Sequence, residues 1–208
     1  MNTRTVQLSI ALAGLMALNA AVAEDICATD QEREQVRAFY EESAGVLPFT
    51  AARRLGLPEA KVVAALPADQ AVSAPGSAFE EVWTALSEVS EASFLITKGG
   101  TVFEVLSGVS PGAPSTRSQY FNIEYTRPLR GHLRPDEFAA IYALDLETGE
   151  GEGRVQGVLF YDGKGEPVFG VFISGEALDT TDENRARFVA AKALIAAKPG
   201  VCAAPETD

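Results

Sequence analysis

The side chains able to do chemistry are few. The chain has 208 residues and one histidine, His132. A single imidazole excludes multi-His metal sites, including a facial triad with two histidines. There is no Gly-x-Ser-x-Gly elbow for a Ser-His-Asp nucleophile and no Walker loop for phosphate. Glu147, Glu150 and Glu152 lack EF-hand spacing and read as a solvated acidic loop. The neighbourhood of His132 is more informative. If residues 129–134 are extended, alternation puts Arg130, His132 and Arg134 on one face, with Leu129, Gly131 and Leu133 on the other. Gly131 leaves room for a flat ligand to approach the backbone. The window 117–134 holds Arg117, Arg127, Arg130 and Arg134 against Glu124 alone. Arginines offer forked donors to carboxylates, and a neutral imidazole offers a nitrogen to iron. Tyr120 lies on a neighbouring strand, and a phenolate is one type of ferric haem ligand. The set suits an anionic, flat, metal-containing ligand. Taken singly the signals are ordinary, since a lone strand histidine is most often a surface residue and a lone tyrosine a core or edge aromatic.

The elements that must position these residues follow from periodicity. Residues 29–66 read as three short helices. Thr29 with Glu32 forms a capping box, Val36, Phe39 and Tyr40 make the first apolar stripe, and Gly45 ends it. Phe49–Leu55 and Glu59–Leu66 follow, separated by Gly56-Leu57-Pro58. The unit resembles a helix-turn-helix, but its third helix carries one Lys and one Glu, so packing is the better explanation. Residues 77–89 form the clearest helix, with Ser77 and Glu80 as a second capping box and Phe79, Val82, Trp83, Leu86 and Val89 on one face. Strands are expected from about 93 to 174, with hairpin turns at Gly99-Gly100 and Asp162–Gly165 and an acidic Gly loop at Gly149–Gly153. Residues 108–118, rich in Gly, Pro and Ser, read as a loop, and residues 182–197 as a closing helix. Helices, then antiparallel strands, then a helix make an α+β chain, read as one unit over residues 24–208.

Residues 1–23 read as a secretory signal, with Arg4, the apolar run Leu8–Leu18 and Ala21-Val22-Ala23 as the cleavage site. An uncleaved anchor is the alternative, although the run is shorter than the ~20 residues a span needs. The expected location is periplasmic or secreted. Losing this segment removes Arg4 and no acid, so the net charge moves from −12 to −13. Such acidity argues against binding to nucleic acid. In an oxidising compartment Cys27 and Cys202 suggest one disulfide, with two buried thiols as the alternative.

The run Tyr120-Phe121-Asn122-Ile123, followed by Gly131-His132-Leu133-Arg134-Pro135-Asp136, resembles the ChuX/HutX family of haem-utilisation carriers. The similarity extends over roughly residues 35–195 and takes in the Leu66-Pro67 helix end, the Phe79–Trp83 helix, the Phe94–Val105 hairpin, Leu159-Phe160-Tyr161 and Val171-Phe172-Ile173. The resemblance implies a small helical N-terminal part packed on a large antiparallel sheet, a homodimer, and haem bound for carriage between a donor and an acceptor protein without an enzymatic step. It implies Tyr120 and His132 as iron contacts, with Arg130 and Arg134 left as propionate partners. The chain departs from the pattern at Thr97, where family members often carry a His, and at Gly170 and Gly175, where they carry bases. Two other functions are compatible with these residues: an enzyme that degrades haem or releases its iron, and a partner-binding module that kept the fold.

Overall fold

The computed structural model describes residues 26–147, 153–174, 178 and 180–202. The signal-like segment 1–23, residues 149–152 of the acidic loop and Gly175 lie outside the described residues.

The described residues begin with three short helices: α1 (Asp30–Glu42), α2 (Pro48–Leu55) and α3 (Glu59–Ala64). The Thr29 box forms as expected. Thr29 Oγ1 accepts the Glu32 N–H at 3.3 Å, and Glu32 Oε2 accepts the Thr29 N–H at 2.7 Å. Next come β1 (Ala71–Pro75), a 3-10 turn (Gly76–Ala78) and α4 (Phe79–Leu86). The second capping box does not form. The 3-10 turn absorbs Ser77, and the N-cap of α4 is Ala78, which has no side-chain acceptor.

Among the described residues, nine strands make two antiparallel sheets. The large one has six, in the order β1-β7-β8-β9-β2-β3, with β2 (Ala92–Lys98), β3 (Thr101–Ser107), β7 (Ala140–Glu147), β8 (Arg154–Tyr161) and β9 (Pro167–Phe172). A second sheet of three, β4 (Gly112–Pro114), β5 (Phe121–Ile123) and β6 (Gly131–Leu133), is inserted between β3 and β7. The supposed loop 108–118 thus contains a strand. Helix α5 (Asp182–Ala196) closes the fold, giving the α+β arrangement expected.

The large sheet is covered on both faces, and this explains why β7 reads as a continuous apolar run. Ile141 and Ala143 face a core built with Phe79, Trp83, Phe160 and Phe188 of α4, β8 and α5. Tyr142, Leu144 and Leu146 face the opposite core, with Val36, Ala51 and Val62 of α1–α3. On that second face Phe172 needs glycine beneath it. A Cβ on Gly157 would lie 2.6 Å from its ring, and one on Gly170 2.7 Å. Beyond the helices, Cys27 and Cys202 are joined as a disulfide, with Cα atoms 5.5 Å apart. The Tyr142 hydroxyl lies 3.7 Å from Cys202 Sγ. No described helix is long and apolar enough to cross a membrane.

Candidate functional site

The small sheet carries the site. Phe121 and Ile123 point inward, where Phe121 meets Phe79 edge-on at 5.1 Å. Those two anchors turn the residue between them, Asn122, outward. Asn122 sits opposite His132 in the β5–β6 register, so both side chains leave the same face. His132 Nδ1 and Asn122 Oδ1 are 2.7 Å apart. An amide oxygen only accepts, so Nδ1 carries the proton and donates it. In the neutral ring this leaves the Nε2 lone pair directed away from Asn122, where it can ligate a metal. Reading the sequence as a row of cationic and aromatic residues overlooked Asn122. Its signal was alternation, since it lies two residues from Tyr120.

Tyr120 joins this pair. Its ring centroid is 5.9 Å from that of His132, with the planes at 61°, and its side chain is 43% exposed. The structure therefore brings the two expected iron contacts together. The arginines behave differently. Strand β6 is extended only over Gly131–Leu133, and Arg134 (φ −109°, ψ 88°) leads into a 3-10 turn at Pro135–Glu137. Arg134 donates from Nε and an Nη to the two carboxylate oxygens of Asp136, at 2.8 and 2.6 Å, and lies 3.6 Å from Glu137. These bonds hold the Asp136 carboxyl below the usual carboxylate range and push the Arg134 guanidinium above its own. Arg134 also lies over the Tyr120 ring, 5.8 Å from its centroid, while Arg130 lies over Tyr125 at 5.1 Å. The local positive charge expected over 117–134 is thus partly neutralised from just beyond that window.

Behind His132 runs an apolar groove of about 210 Å³, between the small sheet and the β2–β9 region of the large one. Ile96, Phe169, Ile123 and Leu129 line it beside Trp83, whose Nε1 donates to the Ser110 carbonyl at 3.0 Å. A Cβ on Gly131 would meet only Ile123, at 3.9 Å, so this stretch of backbone is accessible. An imidazole nitrogen, a phenol and an apolar wall can together hold one side of a flat metal-bearing ring. The groove is too small to enclose one.

Comparison with known proteins agrees with this architecture. The chain is 25% identical over 159 residues to the intracellular heme transport protein HutX of Vibrio cholerae, covering 76% of this chain and 81% of that one. A solved protein from Agrobacterium tumefaciens superposes with a TM-score of 0.65 at 25% identity, over 80% of this chain and 92% of the other. The heme binding protein ChuX shares the fold, with a TM-score of 0.63 at 18% identity over 76% and 97% of the two chains. So does ChuS, an Escherichia coli heme oxygenase, with a TM-score of 0.59 at 17% identity over 73% of this chain and 47% of that one. HutX corrects one expectation from the sequence. It is an intracellular protein, which counts against a periplasmic or secreted location. The physical reason is that a short apolar run with small residues after it resembles a signal by composition alone, and composition does not fix a compartment. The model of the family described as haem utilisation ChuX/HutX matches residues 72–190, more than half the chain and every strand but the first residue of β1, and the chain belongs to that family.

Proposed function

We propose that this protein binds haem and carries or transfers it in haem uptake, without an enzymatic step of its own. One observation carries the reading: in a chain of this family, Tyr120 and a tautomer-fixed His132 stand together at the mouth of an apolar groove. Haem is cargo here. His132 Nε2 and the Tyr120 oxygen are the candidate iron contacts, Gly131 lets the ring approach the backbone, and Arg130 is the arginine free of carboxylates for a propionate. Arg134 meets a propionate only by leaving Asp136.

The partners we infer are haem, a second copy of the chain, and a haem donor or acceptor protein. Two observations support the homodimer. The groove is too small to cover both faces of a porphyrin, and the unpaired edge strand β3 exposes Val102, Phe103 and Leu106, with Phe103 58% exposed. The fold shared with ChuS favours haem degradation as a second reading, which a reductant distinguishes.

The test is titration with ferric haem followed at the Soret band, with the elution volume measured alongside. His132→Ala and Tyr120→Phe are each expected to change the spectrum of the complex. Saturable spectra unchanged in both variants would reject these ligands. With ascorbate present, a carrier keeps its Soret band, whereas bleaching to a linear tetrapyrrole makes the protein an enzyme.

A further inference from the structure

Both ends of the described chain are held in one place. Ile26 is fully buried, Thr29 caps α1, and Cys27 lies between them. At the other end Val201, beyond α5, donates its N–H to Ser73 Oγ on the edge strand β1 at 3.1 Å. The Cys27–Cys202 bridge ties these two segments together. The other anchors of α1 are modest. Val36 is its one buried residue, with Phe39 and Tyr40 half-buried. Glu32 pairs with Lys61 of α3 at 2.8 Å, and Arg33 donates to the Ala64 carbonyl at 2.8 Å. A helix of 13 residues is marginal on its own in water, so its docking leans on the bridge at its start.

The two sulfurs have different surroundings, and both cysteines are half-buried, within reach of a small thiol. Cys202 Sγ faces a donor, the Tyr142 hydroxyl at 3.7 Å. Burial pushes the Tyr142 phenol up to about 12, against a Ser73 hydrogen bond and the charge of Arg33, so the hydroxyl keeps its proton. Arg33 engages a carbonyl and no described carboxylate, and it adds positive charge on this side. Cys27 Sγ faces an acceptor, the Val201 carbonyl oxygen at 3.9 Å, and no donor among the described residues. A thiolate is stabilised by donors and nearby cations and disfavoured beside a carbonyl oxygen. In thiol–disulfide exchange the sulfur whose thiolate is better held is the better leaving group. Cys202 is therefore the sulfur that departs, and Cys27 the one attacked.

We propose that Cys27 is a thiol-modification site and that the bridge is a redox latch on α1. The thiolate of a small thiol attacks Cys27 Sγ, the S–S bond breaks, and Cys202 leaves as a thiolate that accepts the Tyr142 hydroxyl. The small thiol is then joined to Cys27 as a mixed disulfide. A second thiolate attacks the small thiol's sulfur, releases Cys27 and forms the small-molecule disulfide. Two electrons pass from the two thiols to the bridge, and their two protons end on Cys27 and Cys202. Opening the latch at either stage frees the start of α1 from the segment after α5, and oxidation closes it again. The proposal does not rest on haem binding.

The probe is reduced glutathione, added in limiting amount to the whole air-oxidised protein, quenched with excess N-ethylmaleimide and mapped by peptide mass. Glutathione on Cys27 with maleimide on Cys202 is expected to exceed the reverse by about fivefold, the scale of one ordinary hydrogen bond. Tyr142→Phe keeps the buried ring and removes the donor, and its fold is checked by circular dichroism. It is expected to erase that preference and to slow reduction by about fivefold. Full reduction with a phosphine is expected to speed hydrogen exchange of the α1 amides by about tenfold or more relative to those of β8. Equal acceleration in α1 and β8 would make the bridge a general staple and overturn the latch, as would two free thiols in the air-oxidised protein. Glutathione shared equally, or found mainly on Cys202, would overturn Cys27 as the modified sulfur. A preference kept by Tyr142→Phe would overturn the part given to its hydroxyl.

Discussion

Replacing Glu59 by Gln removes a buried titration while keeping an oxygen that can accept the Tyr161 hydroxyl. Burial is the main cause of its perturbation. It raises the carboxyl from an ordinary 4.5 to about 7, helped by the charge of Glu166 and opposed by the Tyr161 hydrogen bond. The other titratable groups facing it across the packing are Tyr161 and Tyr40. Desolvation pushes both phenols upward, so neither titrates near neutrality. The folded protein therefore holds a proton between pH 4.5 and about 7 that the unfolded chain releases. Stability from this group is fully present below pH 4.5 and is lost as pH rises through 7. At about 1.4 kcal/mol per pH unit, the loss comes to about 3 kcal/mol. Other carboxylates act in the opposite direction. Asp145, for example, is held low by Arg154, Lys192 and Gln156 against its own desolvation, so the wild-type profile alone mixes both signs.

The difference between variant and wild type isolates Glu59. Urea unfolding followed by the single tryptophan, Trp83, is measured at pH 5, 6, 7 and 8. Glu59→Gln is expected to exceed wild type by about 1 kcal/mol or less at pH 5 and by about 3 kcal/mol at pH 8. A difference that stays flat across this range, or one that favours wild type increasingly at high pH, would refute the reasoning.

Three further outcomes follow from the packing and the site. Asn122→Ala removes the acceptor that fixes the His132 tautomer and is expected to weaken haem binding about 10-fold while leaving the urea midpoint nearly unchanged. Gly170→Ala drives a Cβ to 2.7 Å from the Phe172 ring and 3.1 Å from Leu159, so it is expected to lower stability by about 1–3 kcal/mol in urea unfolding. Reduction of the Cys27–Cys202 bridge, which spans 175 residues of sequence, is expected to lower stability by up to about 5 kcal/mol, read as unfolding with and without dithiothreitol.

Local signals carried the helical parts of this fold. The Thr29-Glu32 box and the Phe79–Leu86 stripe depend on neighbours in sequence and are found, while α2 begins one residue earlier than expected, at Pro48, α3 ends at Ala64 and not Leu66, and the helix expected over 77–89 is confined to Phe79–Leu86. Ser77 failed as a cap because the chain entering α4 is fixed from elsewhere, by the Gly76 N–H on the Ala139 carbonyl at 3.1 Å. Strand β1 has no pattern of its own in Ala71–Pro75 and is defined by pairing with β7, about 70 residues away. The same holds for β4, whose Gly-Ala-Pro is a strand only because Phe121–Ile123 lies alongside. At the site, the Tyr120–His132 pairing was legible from residue types and spacing. The fate of Arg134 was not, because alternation assumes a strand that continues, and this one stops at Leu133.

The departures from the family pattern fit the packing around them. Gly170, where the family resemblance implies a base, sits beneath the Phe172 ring. A lysine or arginine Cβ there would displace a side chain that closes the α1–α3 core. Thr97, where the family resemblance implies a histidine, donates to the β9 backbone at Pro167. Both positions lie on the face of the large sheet that packs against α1–α3, and neither lies on the face bearing Ile96 and Phe169. Both departures therefore fall on one side of the sheet, away from His132. If haem binding depends on Tyr120 and His132, placing histidine at Thr97 changes the coordination of haem only if haem also reaches the opposite face of the sheet. The spectrum of Thr97→His therefore separates one haem site from two.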